Sequence, residues 1–169
     1  MKKFFTTIAA LLPLTTLIAQ TYLTQDFGTS ATEVAEFLKS KQMVLATTLE
    51  DGSIQASTTA YTVTYYFEED KLYKMETVCE IAGWKEALQR SEGIKTTYKN
   101  ESALVIDLMS DKDLVRFAAL RERKLHEVST YNLGRGAQVR ILSMDLDQAS
   151  TEAMDQLRED NLLYAMIQK

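Results

Sequence analysis

Tyr61-Thr62-Val63-Thr64-Tyr65-Tyr66-Phe67-Glu68-Glu69-Asp70-Lys71-Leu72-Tyr73-Lys74-Met75-Glu76-Thr77 is the stretch whose reading decides the fold. Tyr61, Val63, Tyr65 and Phe67 alternate with Thr62, Thr64 and Tyr66, which is the period of a half-buried strand built from β-favouring residues. A charged turn follows, and the chain resumes as a second strand over about 71–79. Thr62, Thr64 and Tyr66 fall on the face opposite the apolar positions. A tyrosine and threonine surface of this kind suits a protein or glycan partner, because tyrosine joins an apolar ring to a polar tip.

Working outward, the preceding segment supplies a helix and two more extended runs. Ser30-Ala31-Thr32-Glu33 has the spacing of a capping box, and Val34, Phe37 and Leu38 form one stripe, predicting a helix over 30–41. Strands are expected at 43–49 and 53–67, joined by the hairpin pair Asp51-Gly52. The same helical spacing recurs at Trp84, Ala87 and Leu88, predicting a second helix over 81–92. Lys95-Thr96-Thr97 then echoes Ala46-Thr47-Thr48, and Leu120 to Thr130 lines up with Phe67 to Thr77. The chain therefore reads as a tandem duplication of a helix plus three-strand unit, the first copy over about 30–80 and the second over about 81–132.

In the second copy, strands are expected at 93–98, 102–109 and 113–132, the last span folded as a hairpin. Local rules also allow a helix over 111–124, since Ser110 to Asp113 can cap Leu114, Phe117 and Ala118; the repeat register favours strands. Asn132 to Gly136 is a glycine-containing turn. Val139, Ile141 and Ser143 alternate with their neighbours as a closing strand, and Ser150 opens a final amphipathic helix to about 166 carrying Met154, Leu157 and Tyr164. The expected fold is α+β, with an antiparallel sheet, helices on one face and a C-terminal helix, in a single domain over 21–169. This layout is similar, in topology only, to tandem modules of exported bacterial proteins such as the β-lactamase inhibitory protein and the PepSY domain. Such a layout implies a binding or inhibitory module; no motif carries a residue across.

The N-terminus reads as an address. Met1-Lys2-Lys3 is a short basic start, Phe4 to Ala19 is apolar apart from four threonines and Pro13, and Ala19 is a small residue at the expected cut. Residues 1–20 are thus expected to be a cleavable signal peptide, too broken by threonine to serve as an anchor that needs about 20 apolar residues. No cysteine lies near the cut, which excludes lipid attachment there. The expected location is the periplasm or the extracellular medium, with no membrane span after cleavage.

Loss of Lys2 and Lys3 takes the formal charge from -5 to -7. Scattered lysine and arginine on an acidic chain argue against nucleic acid, which rewards clustered positive charge. Cys79 is the only cysteine, so no intramolecular disulfide can form, and 46% hydrophobic residues must hold the fold without one.

Candidate chemistry is sparse. His126 is the only histidine, so sites built from several imidazoles are excluded. The repeat alignment places it in the position of Tyr73, on a face with Met75 and Val128. A Cys79–His126 pair is conceivable but lacks an orienting group. Asp111 with Asp113, and Asp145 with Asp147 and Glu152, lack the rhythm of a calcium loop, so no metal and no cofactor is expected. Gly134-Arg135-Gly136 offers a guanidinium in a turn, and Asp107 is the acid least expected in its apolar run. The reading is an exported, non-catalytic binding module for a protein or small ligand, with Thr62, Thr64, Tyr66 and Arg135 as the binding residues. The alternatives are a secreted hydrolase using carboxylates or His126, and a structural component of the cell envelope.

Overall fold

A computed structural model describes residues 23–41 and 44–158. The signal-peptide reading and the end of the last helix, Tyr164 included, lie outside the described residues. Within them, helix α1 (Ala31–Ser40) leads into strands β1 (Leu45–Thr48), β2 (Ile54–Ser57), β3 (Thr62–Glu68) and β4 (Lys71–Ile81). Helix α2 (Trp84–Asn100) then leads into β5 (Leu104–Ser110), β6 (Leu114–Arg121), β7 (Lys124–Asn132) and β8 (Ala137–Asp145), and α3 (Thr151–Arg158) follows. All strand pairs are antiparallel, in one eight-stranded sheet of order β1-β2-β3-β4-β8-β7-β6-β5. The class is mixed α+β, with a further helix after the sheet. No helix among the described residues is long and apolar enough to cross a membrane.

Local chemistry explains most of these elements. The Ser30 hydroxyl accepts from the Glu33 amide while the Glu33 carboxylate accepts from the Ser30 amide, so the capping box closes and α1 starts where its spacing says. Gly52 takes φ 82° in the β1–β2 turn, a conformation natural to glycine. The choice of strands for 111–124 holds. The Asp111 carboxylate accepts from the amides of Asp113 and Leu114, both at 2.8 Å, and so turns the chain into β6 instead of capping a helix.

Three expectations need correction. The run 53–67 is two strands, because Thr58 turns back on itself, its amide bonding the Tyr61 carbonyl at 2.9 Å and its hydroxyl accepting from the amides of Ala60 and Tyr61. Each helix is therefore followed by four strands, not three. The predicted strand 93–98 belongs to α2: the stripe of Ala87, Ser91 and Ile94 continues past Gly93 to Tyr98 at helical spacing, and its burial against the sheet outweighs the β preference of Thr96 and Thr97. Finally, the echo between 67–77 and 120–130 sets the turn between β3 and β4 against the turn between β6 and β7. These are different steps in the two element orders.

Both faces of the sheet are used. Val34 and Leu38 of α1 pack on Ile54, Ala56, Val63, Tyr65, Met75 and Cys79, while α2 covers Phe117, Val128, Val139 and Ile141 of the same face. On the opposite face α3 lays Ala153 and Leu157 on Ala118, Leu125 and Met144. The β3–β4 ladder slips between Tyr66 and Phe67, leaving Tyr73 as an extra residue. As a result Leu72 packs under α1 while Tyr73 joins the α3 cluster, away from His126.

Phe117 is 1% exposed at the centre of the α2 cluster, whereas Leu45 on edge strand β1 is 80% exposed. Phe117→Ala is expected to cost about 3–5 kcal/mol, and Leu45→Ala to stay within about 0.5 kcal/mol. Urea denaturation of the two variants beside the parent checks both values.

Candidate functional site

The two helices cover their own strands and leave a cleft between them, over the seam where β4 meets β8. Its floor is two rungs of side chains. One runs Val63, Thr77, Ile141; the other runs Tyr65, Met75, Ser143, His126, each residue standing opposite the next across neighbouring strands. Ile94, Thr97 and Tyr98 of α2, with Glu101 just past its end, form one wall. The segment Leu23 to Phe27 forms the other, and the cavity between them measures about 360 Å³. That size lies at the lower end of the range for small-molecule sites.

The N-terminal segment is held in place by the sheet. The Tyr65 hydroxyl, fully buried, donates to the Leu23 carbonyl at 2.5 Å. Gly28 donates to the Leu72 carbonyl at 2.8 Å, and Leu72 to that of Thr29 at 2.9 Å. Burial pushes the Tyr65 phenol up, so it stays a donor across the physiological range.

The polar centre of the cleft is His126. Its Nδ1 lies 2.8 Å from the Ser143 hydroxyl, and its ring stacks on Tyr98 with centroids 4.9 Å apart and planes 22° from parallel. Desolvation, helped by the nearby Lys124 charge, lowers its pKa to about 4, so the imidazole is neutral at pH 7. Burial likewise pushes the Tyr98 phenol up. The walls and floor thus present neutral hydroxyls and one neutral imidazole, with the charged Asp26, Glu101 and Lys124 exposed at the rim.

The residues singled out from sequence lie elsewhere. Thr62, Thr64 and Tyr66 stand on the opposite face, as the alternation requires. There the Tyr66 hydroxyl donates to Glu76 at 3.2 Å, with the Lys74 ammonium 3.9 Å from the ring centroid. Desolvation, reinforced by Glu76, raises the Tyr66 phenol to about 12. Arg140 Nε lies 2.6 Å from Glu76 as an ion pair whose N–H direction misses the carboxylate, and Arg116 bonds Glu127 through Nε and a terminal nitrogen at 3.0 and 2.7 Å. Thr64 is buried and Thr62 and Tyr66 are half-buried, so the exposed sheet face expected from the alternation is closed at its middle position. Arg135 is exposed in the β7–β8 turn, where Gly134 takes φ 79°, and does not join the three sheet residues.

The other candidates separate as well. Cys79 is buried opposite Val139, four residues along β8 from Ser143 and so about 13 Å from the His126 rung. Asp107 is tied to Lys95 and stands on β5, with β6 between it and His126. Asp145 accepts from the Asp147 amide and Gln148, and Asp147 pairs with Arg123 at 2.6 Å. No group of three metal-ligating side chains gathers among the described residues. Ser143 and Tyr98, the partners of His126, escaped the sequence reading. Tyr98 was hidden by the strand expected at 93–98.

No protein-family model, curated protein or solved structure matches the chain.

The unfolded chain holds His126 near its ordinary pKa of 6.5, while the folded chain lowers it to about 4. Between these values the unfolded state binds the extra proton, so stability is full above pH 6.5 and falls as the pH drops towards 4, by at most about 3 kcal/mol. His126→Gln removes this contribution. Denaturation midpoints for parent and variant should converge as the pH falls from 7 to 4.

Proposed function

We propose that this chain is an exported, non-catalytic module that binds a small ligand in the cleft over the β4–β8 seam. The observation that carries the reading is the cavity of about 360 Å³ with the neutral His126–Ser143 pair on its floor. Apolar walls supply contact area, and a few converging polar groups fix the ligand's orientation, which is the usual composition of a binding pocket.

The same pair argues against the hydrolase alternative. A serine nucleophile needs a base poised near the working pH, and an imidazole with a pKa of about 4 is too weak a base for that work. Asp107, the acid considered for such chemistry, is held by Lys95 elsewhere. Ser143 and His126 therefore act as hydrogen-bonding partners for a guest.

Export is supported by the basic start and apolar run of residues 2–19. Duplication is supported by the recurring order of one helix and four antiparallel strands, with the last strand of each run meeting at the centre of the sheet. The half-buried Thr62 and Tyr66, on the sheet face opposite the cleft, provide a second and smaller surface for a protein partner, with Arg135 at the exposed turn.

A screen of small metabolites by thermal unfolding tests the reading. A ligand at a hundred times its Kd adds about 2.7 kcal/mol, which raises the Tm by several degrees. Thr77→Trp, which fills the cleft from its floor, should abolish that rise. Turnover of an ester or glycoside that depends on His126 would overturn the non-catalytic assignment.

A further inference from the structure

We propose that the guest of the cleft is an uncharged molecule with an apolar body and one hydroxyl or amide group, seated against His126 and Ser143. This rests on the cleft being the binding site and specifies what it accepts. Three observations on the lining carry it: the composition of the floor, the state of the hydrogen bonds there, and the position of the charges.

The floor is apolar on both sides of its polar centre. Val63 and Met75 flank it on one side and Ile141 lies beside Ser143 on β8, with Ile94 of α2 facing them. These four side chains are themselves nearly closed off from water, so a guest with an apolar body meets their edges and buries surface chiefly against the half-buried Phe27 and Tyr98 rings. A charged guest would lose its hydration without gaining an opposite charge, because no described side chain of the floor is ionised at pH 7.

The hydrogen bonds specify the polar end. Ser143 occupies Nδ1 of His126, and the described residues give the ring no other hydrogen-bond partner, which leaves Nε2 for a guest. A neutral imidazole offers one donor and one acceptor, and the Ser143 hydroxyl can turn to either role. The pair therefore meets a hydroxyl or an amide equally well. The Tyr98 stack holds the ring plane and with it the direction of Nε2.

The charges lie at the rim, where Asp26 and Glu101 stand with Lys124 in water. Two anions and one cation, exposed and screened by water and salt, hold a guest of either sign only weakly, so selection falls to the floor. An anionic guest could accept from a neutral Nε2–H but would meet a full opposite charge there only on the protonated ring, so its binding would strengthen below neutral pH. An uncharged guest binds with no pH dependence between 6 and 8.

Because His126 is the only histidine, the imidazole nitrogen spectrum of the protein is that of the site. Benzyl alcohol, benzoate and benzylamine share one ring and differ in charge, so titrating each while following the His126 nitrogens and the Met75 methyl separates the possibilities. The expected result is that benzyl alcohol moves both signals with a millimolar Kd, unchanged between pH 6 and 8, and that the two ions bind at least about tenfold more weakly. Ser143→Ala should weaken benzyl alcohol by about tenfold, and the titrations of the parent stand without that variant. Benzoate or benzylamine binding as tightly as the alcohol, whatever the protonation of the imidazole, overturns the ligand class and leaves the cleft as the site. Signals unmoved by all three probes overturn the cleft itself.

Discussion

The pairing of β4 with β8 is the constraint on which the rest of the structure depends. Eight residue pairs, from Lys74 opposite Met144 to Ile81 opposite Ala137, join the two four-stranded runs into one sheet. Without that ladder each run would expose a long inner edge, and an open edge is a site for uncontrolled strand addition. With it, only β1 and β5 are edges. The β5 edge is broken by a register slip between Asp107 and Met109, and β1 is only four residues long. Both are recognised ways of blunting an edge.

The same ladder makes the cleft. Each helix is tethered to its own run, so α1 centres on β2 and β3 and α2 on β6, β7 and β8. The seam between the runs is the part of that face which neither helix is placed to cover fully. At the seam the floor carries Thr77 and Ser143 among larger apolar residues, and these small polar side chains leave space where a leucine would fill it. The N-terminal segment then crosses the gap, held by Tyr65 and by the backbone at Leu72. The cleft thus arises from the way two helix-and-sheet runs meet, with the N-terminal segment as its second wall.

The sequence made the local elements legible and obscured the connections between them. Strand alternation at Tyr61 to Phe67, the capping box at Ser30, the Asp51-Gly52 turn and the strands over 111–124 were all readable, because each depends on neighbours in the chain. Helix α2 was cut short since Gly93 and the threonines after it weigh against helix locally, while the burial of Ile94 and Tyr98 that sustains it is a tertiary matter. The bulge at Tyr66 was invisible for a similar reason. It moves Tyr73 to the other face and breaks the proposed equivalence with His126. The placing of Thr62, Thr64 and Tyr66 on the face opposite Val63 and Tyr65 followed from alternation alone, whereas the burial of Thr64 there did not. The cleft did not, because it joins β3, β4, β8, β7, α2 and the N-terminal segment.

His126 shows how far a neutral polar group shapes such a site. A buried imidazole costs free energy unless it is bonded, and here one hydrogen bond and one ring stack stabilise it in the uncharged state. Lys124 on the same strand disfavours the proton further, and no carboxylate is in position to restore it. An acid at position 143 would reverse the balance, raising the imidazole pKa and making the pair a proton-transfer device. Serine keeps it a donor–acceptor pair. The charge of the single side chain opposite His126 thus sets the proton state of the floor, and serine is the uncharged choice.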